Sequence, residues 1–330
     1  MKRKINIVVI LSGLIFLLNA CQKNIDIFVP ADGQINGADT NWVDIINDSM
    51  QVAALKNNLL LQPQPDSTEV DAISSTTVLS PSGLKCIFPA NSIIYLSSNR
   101  PVAGKIFIET LLLKTRGDMI RMGKPTVSDG KLLISGGALF ISLKKKDSVI
   151  NIAPQANITL SYTAAITIQG SKLFYGQEGG QGKFNWIINN SSSLSGYVLT
   201  NQQGYEIRSS HTGWVSPAQL YDSIGPKTIV VAGLPPQFTN ANTGVYLVFK
   251  NMLSVADMNG NAIDKKFRSI AVPVGNAVTV VVISKQGGDY YLGYKDVITG
   301  TPVSGSTSQL VPVIPIKVSL AAIKNYLDLL

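Results

Sequence analysis

The chain has 330 residues, with 28 Lys and Arg against 20 Asp and Glu, one His and two Cys. At 45% apolar and 15% charged residues it is far too apolar for a disordered chain, and it is long enough for two domains. Setting aside Lys2, Arg3 and Lys4 leaves 25 of the 28 cations against the 20 acids, scattered along the chain, which argues against a nucleic-acid partner.

Those first cations precede an apolar run, Ile5 to Leu18, broken only by Asn6, Ser12 and Gly13. This is the layout of a secretory signal, and it falls short of the ~20 apolar residues of a membrane-spanning helix. It ends in Leu18-Asn19-Ala20-Cys21. That ending resembles the bacterial lipoprotein signal, with Asn19 departing from the smaller residue usual there. The resemblance implies cleavage between Ala20 and Cys21, a diacylglycerol on the Cys21 thiol, and a chain lipid-anchored at the outer membrane. Two acyl chains suit stable anchoring, each buried methylene contributing about 0.8 kcal/mol. Gln22-Lys23 resembles the start of a Bacteroidetes surface-export tag, but Asn24 and Ile25 intervene before Asp26, so periplasmic and cell-surface sides both stay open. With Cys21 acylated, Cys86 has no partner. It lies in the apolar run Leu84 to Phe88 and reads as a core residue.

Residues 21–40 are polar, contain Pro30, Gly33 and Gly37, and read as a tether. Leu55, Leu59 and Leu60 have helical spacing, and Pro63 and Pro65 close a short helix expected around 50–60. From Ile73 onward, short apolar runs alternate with turn signals. Thr77–Leu79 and Leu84–Phe88 flank Pro81-Ser82-Gly83 as a hairpin. Lys105–Leu113, Lys131–Ile134, Ala138–Leu143, Val149–Ile152 and Asn157–Tyr162 follow as strands. Gly136-Gly137 suits a positive φ or a bulge, and Lys144-Lys145-Lys146-Asp147 a solvated turn. Tyr197–Thr200 and Tyr205–Ser209 form a second hairpin. Lys227–Ala232, Gly244–Lys250, Phe267–Val272, Ala277–Ile283 and Tyr290–Tyr294 complete the strands. Ser319 caps a C-terminal helix whose stripe is Leu320, Ile323, Leu327 and Leu330, expected to pack on the second domain.

The fold class expected is therefore all-β: two antiparallel β-sandwich-like domains with a short N-terminal helix and a C-terminal helix. The expected division is a signal over 1–20, a tether over 21–40, a first sandwich over 41–168, a Gly/aromatic linking segment over 169–196, a second β-rich domain over 197–300, and a linker and helix over 301–330.

Gly83, Ile87-Phe88-Pro89-Ala90-Asn91-Ser92 and Pro101-Val102-Ala103-Gly104-Lys105-Ile106 together resemble a β-sandwich module of Bacteroidetes surface lipoproteins, itself a distant look-alike of a domain shared by zonula occludens proteins and netrin receptors. Phe88 stands where that family usually has isoleucine. Leu173 to Glu178, followed by Phe184-Asn185-Trp186, is similar to a further segment of these proteins, with Gln177 replacing an acid. Gly213-Trp214-Val215, Tyr246–Lys250 and Val272–Gly275 are similar to their second half, where Ser216-Pro217-Ala218 replaces an N-C-D sequence. The resemblance implies a fold and no particular activity.

Candidate chemistry is sparse. His211 is the only histidine, and Ser209 and Ser210 are too close to it in sequence for a usual triad. There is no G-x-S-x-G, H-E-x-x-H or phosphate loop. Asp257-Met258-Asn259-Gly260-Asn261 has part of a calcium-loop ladder but no closing acid, and reads as a turn. No metal or other cofactor is called for. Phe174, Tyr175 and Trp186 are candidate ligand aromatics for glycan stacking, with core anchoring as the other reading. Asp48-Ser49-Met50, Asp147-Ser148-Val149 and Asp222-Ser223-Ile224 resemble the tripeptide at which Bacteroidetes attach O-glycans, making Ser49, Ser148 and Ser223 candidate acceptors. The sequence favours a non-enzymatic interaction or structural module of the cell envelope, with an envelope protein or glycan as partner. A glycan-binding component of a polysaccharide-capture system is the alternative, and a hydrolase with a dispersed carboxylate pair is third.

Overall fold

A computed structural model describes residues 41–58, 62–179, 183–190, 196–221, 225–300 and 308–330. The signal, the tether and most of the linker at 301–307 lie outside them. The chain divides into Met1–Gln34 and a compact unit, Ile35–Leu330, to which everything below refers.

The first half of that unit contains α1 (Gln51–Lys56), β1 (Asp66–Asp71), β2 (Thr76–Leu79), β3 (Lys85–Phe88), β4 (Ile93–Tyr95), β5 (Lys105–Leu113), α2 (Arg116–Arg121), β6 (Val127–Ser128), β7 (Lys131–Ser135), β8 (Ala138–Lys144), β9 (Ile150–Ile152) and β10 (Ile158–Thr163). Then come β11 (Lys172–Glu178), β12 (Phe184–Ile188), β13 (Gly196–Asn201), β14 (Gly204–Ser209), β15 (Gly213–Leu220), β16 (Lys227–Gly233), β17 (Thr243–Phe249) and β18 (Val255–Asp257). The chain closes with β19 (Asn259–Asn261), β20 (Lys266–Pro273), β21 (Ala277–Gln286), β22 (Asp289–Ile298), β23 (Ser308–Pro312), β24 (Ile316–Val318) and α3 (Leu320–Asp328).

The fold is all-β, and its two sandwiches are built from four sheets. In the first, the sheet ordered β1-β5-β8-β15-β11-β12, with β7 also on β15, faces the sheet ordered β13-β14-β10-β3-β2. Val78, Cys86, Phe88, Leu160 and Ile207 from one side meet Ile106, Ile108, Leu139, Ile141 and Val215 from the other. The pair β4–β9 closes this core with Ile93, Ile150 and Ile152. In the second, the sheet β19-β20-β16-β23 faces the sheet β18-β17-β21-β22-β24. Val230, Ala232 and Phe267 there meet Val245, Leu247, Phe249, Val280 and Val282.

A third core lies between the sandwiches. The far faces of the two inner sheets supply Leu113, Phe174, Trp186 and Trp214 on one side and Tyr246, Val248, Val281 and Ile283 on the other. Helices fill the space between, through Leu55 of α1, Met119 and Ile120 of α2, and Ile323 and Leu327 of α3. This explains why every residue of β17 is buried. Successive side chains point to opposite faces of a strand, and here both faces have a core to enter.

The expected boundaries change accordingly. Residues 169–196 are not a linking segment but contain β11 and β12, which extend the large sheet. Strands β13 to β15, expected in the second domain, pair with strands of the first: β14 with β10, and β15 with β7, β8 and β11. The sandwiches divide around 221–226, after the last of these strands. Nor does residue 41 open the first sandwich. The amide of Val43 donates to Asn240 Oδ1 at 3.0 Å, Asn240 Nδ2 donates back to the Val43 carbonyl at 2.6 Å, and Trp42 lies 5.0 Å from the Phe267 ring. The N-terminal segment thus packs on the second sandwich. The C-terminal helix sits in the seam against α2 as well as on the second sandwich, because Gly117 of α2 lets the Leu327 backbone approach to where a side chain would stand.

Hydrogen bonds stitch the seam. Thr126 Oγ1 donates to the Val255 carbonyl at 3.1 Å and accepts from the Val255 amide at 2.8 Å, and Ser254 Oγ donates to the Leu133 carbonyl at 2.6 Å. Arg116 Nη1 donates to the carbonyls of Phe249, Lys250 and Met252. The groups bonded by Thr126 and Ser254 are buried, and leaving one of them unpaired would cost about 1–3 kcal/mol.

Candidate functional site

Ala20, Cys21 and Ser223 lie outside the described residues, so the expected lipid attachment, the signal cleavage and the third glycan acceptor have no geometry here. The other nominated residues do. Ser49 sits in the exposed turn before α1, its hydroxyl donating to Asn47 Oδ1 at 2.6 Å. Ser148 closes the turn from Lys145, next to Asp147 at φ +54°. Both serines are on turns that solvent reaches.

The aromatic residues turn out differently from a stacking platform. Phe174 and Trp186 are each 1% exposed, and the Trp186 indole donates to the Pro125 carbonyl at 2.9 Å. Their ring faces are closed inside the seam, which corrects their candidacy as ligand aromatics. Tyr175 points the other way. It is half-buried, with its ring 4.5 Å from that of His211. Burial raises its phenol pKa, and a hydrogen bond with Ser209 partly offsets this. Ser210 Oγ is 3.1 Å from His211 Nδ1, and the Ser209 hydroxyl bridges the His211 backbone, accepting from its amide and donating to its carbonyl. Serine, histidine and tyrosine are therefore together at the β14–β15 turn. No carboxylate is hydrogen-bonded to the imidazole among the described residues, so the histidine lacks the group that would orient a general base.

The segment Asp257–Asn261, expected as a turn, is instead the end of β18 and strand β19, and the turn comes after it. Asn261 Oδ1 accepts from the amides of Ile263 and Asp264, and Asp264 pairs with Arg268. In the β19–β20 ladder Asn259 stands opposite Arg268 and Asn261 opposite Lys266. Two cations beside the ladder disfavour calcium there. An open cleft lined by Val43, Asp44, Asn261, Arg268 and Ser269 lies alongside. Among the described residues no group of three or more His, Cys, Asp or Glu is placed to hold a metal ion, and no helix is long and apolar enough to cross a membrane.

Sequence reasoning missed one interaction centre altogether. Lys124 is buried, with Nζ 2.5 Å from Glu178 Oε1, 4.2 Å from the Phe184 ring centre and 5.1 Å from that of Trp214. Gly176 makes this possible, since a Cβ there would lie 2.4 Å from the Phe184 ring and 2.5 Å from Trp214 Cβ. A glycine inside an aromatic strand, two residues before an acid, was the available signal. The arrangement ties the α2–β6 connection to the sheet by charge and ring contact and leaves the ammonium no open face for a ligand.

Cys86 is 0% exposed, and burial pushes its thiol up to about 12. No protein-family model matches the chain, and no curated protein matches its sequence.

Proposed function

We propose that the chain is a cell-envelope lipoprotein, held at the outer membrane by a diacylglyceryl Cys21, whose β-rich body is a non-enzymatic interaction or structural module. The single observation carrying this is the Ile5–Leu18 run ending at Ala20-Cys21 behind three cations. Two features support it. Cys86 is sealed in the first core, so Cys21 has no disulfide partner without opening that core. The chain also becomes part of the body at Trp42 and Val43, which pack on the second sandwich beyond the expected tether. The glycan-capture alternative loses two of the three rings that motivated it, Phe174 and Trp186. The resemblance to Bacteroidetes lipoproteins stays part of this proposal.

Metabolic labelling with palmitate, together with intact mass, tests the anchor. The wild-type chain is expected to carry label and to begin at Cys21, and Cys21→Ser to lose label and leave the membrane fraction. An unlabelled wild-type chain with the mass of free peptide overturns the proposal. The same masses show whether Ser49, Ser148 or Ser223 carries glycan.

A further inference from the structure

We infer that the two turns at the open end of the β4–β9 pair form a docking point for an anionic lipid surface. The ladder Ile93–Tyr95 with Ile150–Ile152 lies against the first core, and Ile93, Ile94, Ile150 and Ile152 are all buried. It continues one step outward, where the Leu96 amide donates to the Val149 carbonyl at 3.0 Å. The character changes abruptly there. Leu96 is 57% exposed and Val149 71%. Two neighbouring aliphatic side chains thus stand in water where the strands leave the protein.

They are held in place rather than loosely displayed. The Arg100 carbonyl accepts from the Tyr95 amide at 3.0 Å, and Asn99, at φ +53°, donates its amide to the Tyr95 carbonyl at 2.9 Å. The facing turn is closed by the Ser148 amide on the Lys145 carbonyl at 3.3 Å. A pair ordered before contact loses little entropy on docking.

The charge beside the pair selects the occupant. Arg100 shares a turn with Leu96, and Lys145 and Lys146 share one with Val149, against the single acid Asp147. Lys144 and Lys105 are neutralised by Glu109 and Glu69, but neither Arg100 nor Lys146 has a carboxylate partner among the described residues. A second copy of this chain would bring like charges together. A soluble polyanion would satisfy the cations and leave the aliphatic pair in water. An anionic bilayer takes both, through apolar side chains entering the headgroup boundary and cations among the phosphates. This inference is independent of Cys21.

The test uses residues 35–330, which contain all three cores and no acylation site. They are expected to sediment with vesicles of phosphatidylglycerol and phosphatidylcholine in equal parts, to stay in solution with phosphatidylcholine alone, and to be released by salt. The pair Leu96→Ser/Val149→Ser is expected to weaken binding roughly tenfold, as is Arg100→Glu/Lys146→Glu. Leu96→Trp supplies a gain of signal: its emission is expected to be quenched by brominated acyl chains, beyond any change in wild type. No sedimentation with the mixed vesicles overturns the inference, as does an unquenched Leu96→Trp. Binding to heparin as tight as to vesicles, unaffected by Leu96→Ser/Val149→Ser, points to a soluble polyanion and overturns it equally.

Discussion

Gly136 shows how a single missing side chain can organise a core. Its amide donates to the Pro217 carbonyl, and its own carbonyl accepts from the Tyr162 hydroxyl at 2.9 Å. A Cβ there would lie 2.5 Å from the Tyr205 ring, which is held by a hydrogen bond to the Ile168 amide. Gly136→Ala is therefore expected to cost about 2 kcal/mol in urea unfolding, the usual cost of overpacking a site that cannot yield. Burial also sets the response to alkali. Cys86 is raised to about 12, and the phenols of Tyr162 and Tyr246 are raised by the same cause. The folded chain keeps these protons where the unfolded chain gives them up, so it binds more protons through that range and stability falls as pH rises. The urea midpoint is expected to hold from about pH 7 to 8 and to decline above about pH 9, where unfolded thiols and phenols begin to ionise. For the same reason the folded 35–330 chain is expected to resist a maleimide at about pH 8 and to react once unfolded, since the thiolate is the nucleophile. Labelling as fast as for a free thiol would place Cys86 outside the core.

At the level of elements, α3 is a test of capping. Ser319 Oγ accepts from the Ala322 amide at 3.1 Å, and Ile323 and Leu327 enter the seam. Ser319→Ala is expected to cost about 1 kcal/mol, measured by urea unfolding. Leu327→Ala is expected to cost about 2–5 kcal/mol, because it opens a cavity between rigid layers. This helix was legible in the sequence, and so were most strands: the expected Lys105–Leu113 is β5 itself, and Gly136-Gly137 is a bulge with Gly137 at φ +139°. Between Ser135, opposite Ala218, and Leu139, opposite Val215, one strand takes an extra residue. Local pattern could reveal these because each depends on neighbours in the chain. It could not reveal that β11 and β12 are strands of the main sheet. Their glycines and short polar stretches look like a linker until Gly176 is seen making room for Phe184 and Trp214. Phe174 and Trp186 failed as ligand aromatics for a related reason. A ring destined for a core between two sandwiches and a ring destined for a ligand have the same sequence signature, and only the pairing of distant strands separates them.

The whole molecule is organised by that middle core. Had the sandwiches met through a polar, hydrated surface, each would be expected to unfold by itself. Instead Trp186, Trp214 and Phe174 of the first share one apolar cluster with Tyr246 and Val281 of the second, and α2 and α3, distant in sequence, both belong to it. The N-terminal segment adds a further tie, since the Val52 amide of α1 donates to the Ala241 carbonyl of the second sandwich at 3.0 Å. Calorimetry of residues 35–330 is therefore expected to give one transition with matching calorimetric and van't Hoff enthalpies. A fragment ending at Tyr221 would keep the first core but uncover Phe174, Trp186 and Trp214. That fragment is expected to bind a hydrophobic dye and to lose the near-ultraviolet tryptophan signal of the intact unit. Two separate transitions, or a fragment with the native tryptophan signal and no dye binding, would mean that the seam is an ordinary domain contact. The anchor proposed at Cys21 would then pull on one sandwich and leave the other free. With a shared core, a load entering at Trp42 is carried through the seam to the β4–β9 turns, so a lipid contact there and an anchor at the N-terminus would hold one rigid body at two points.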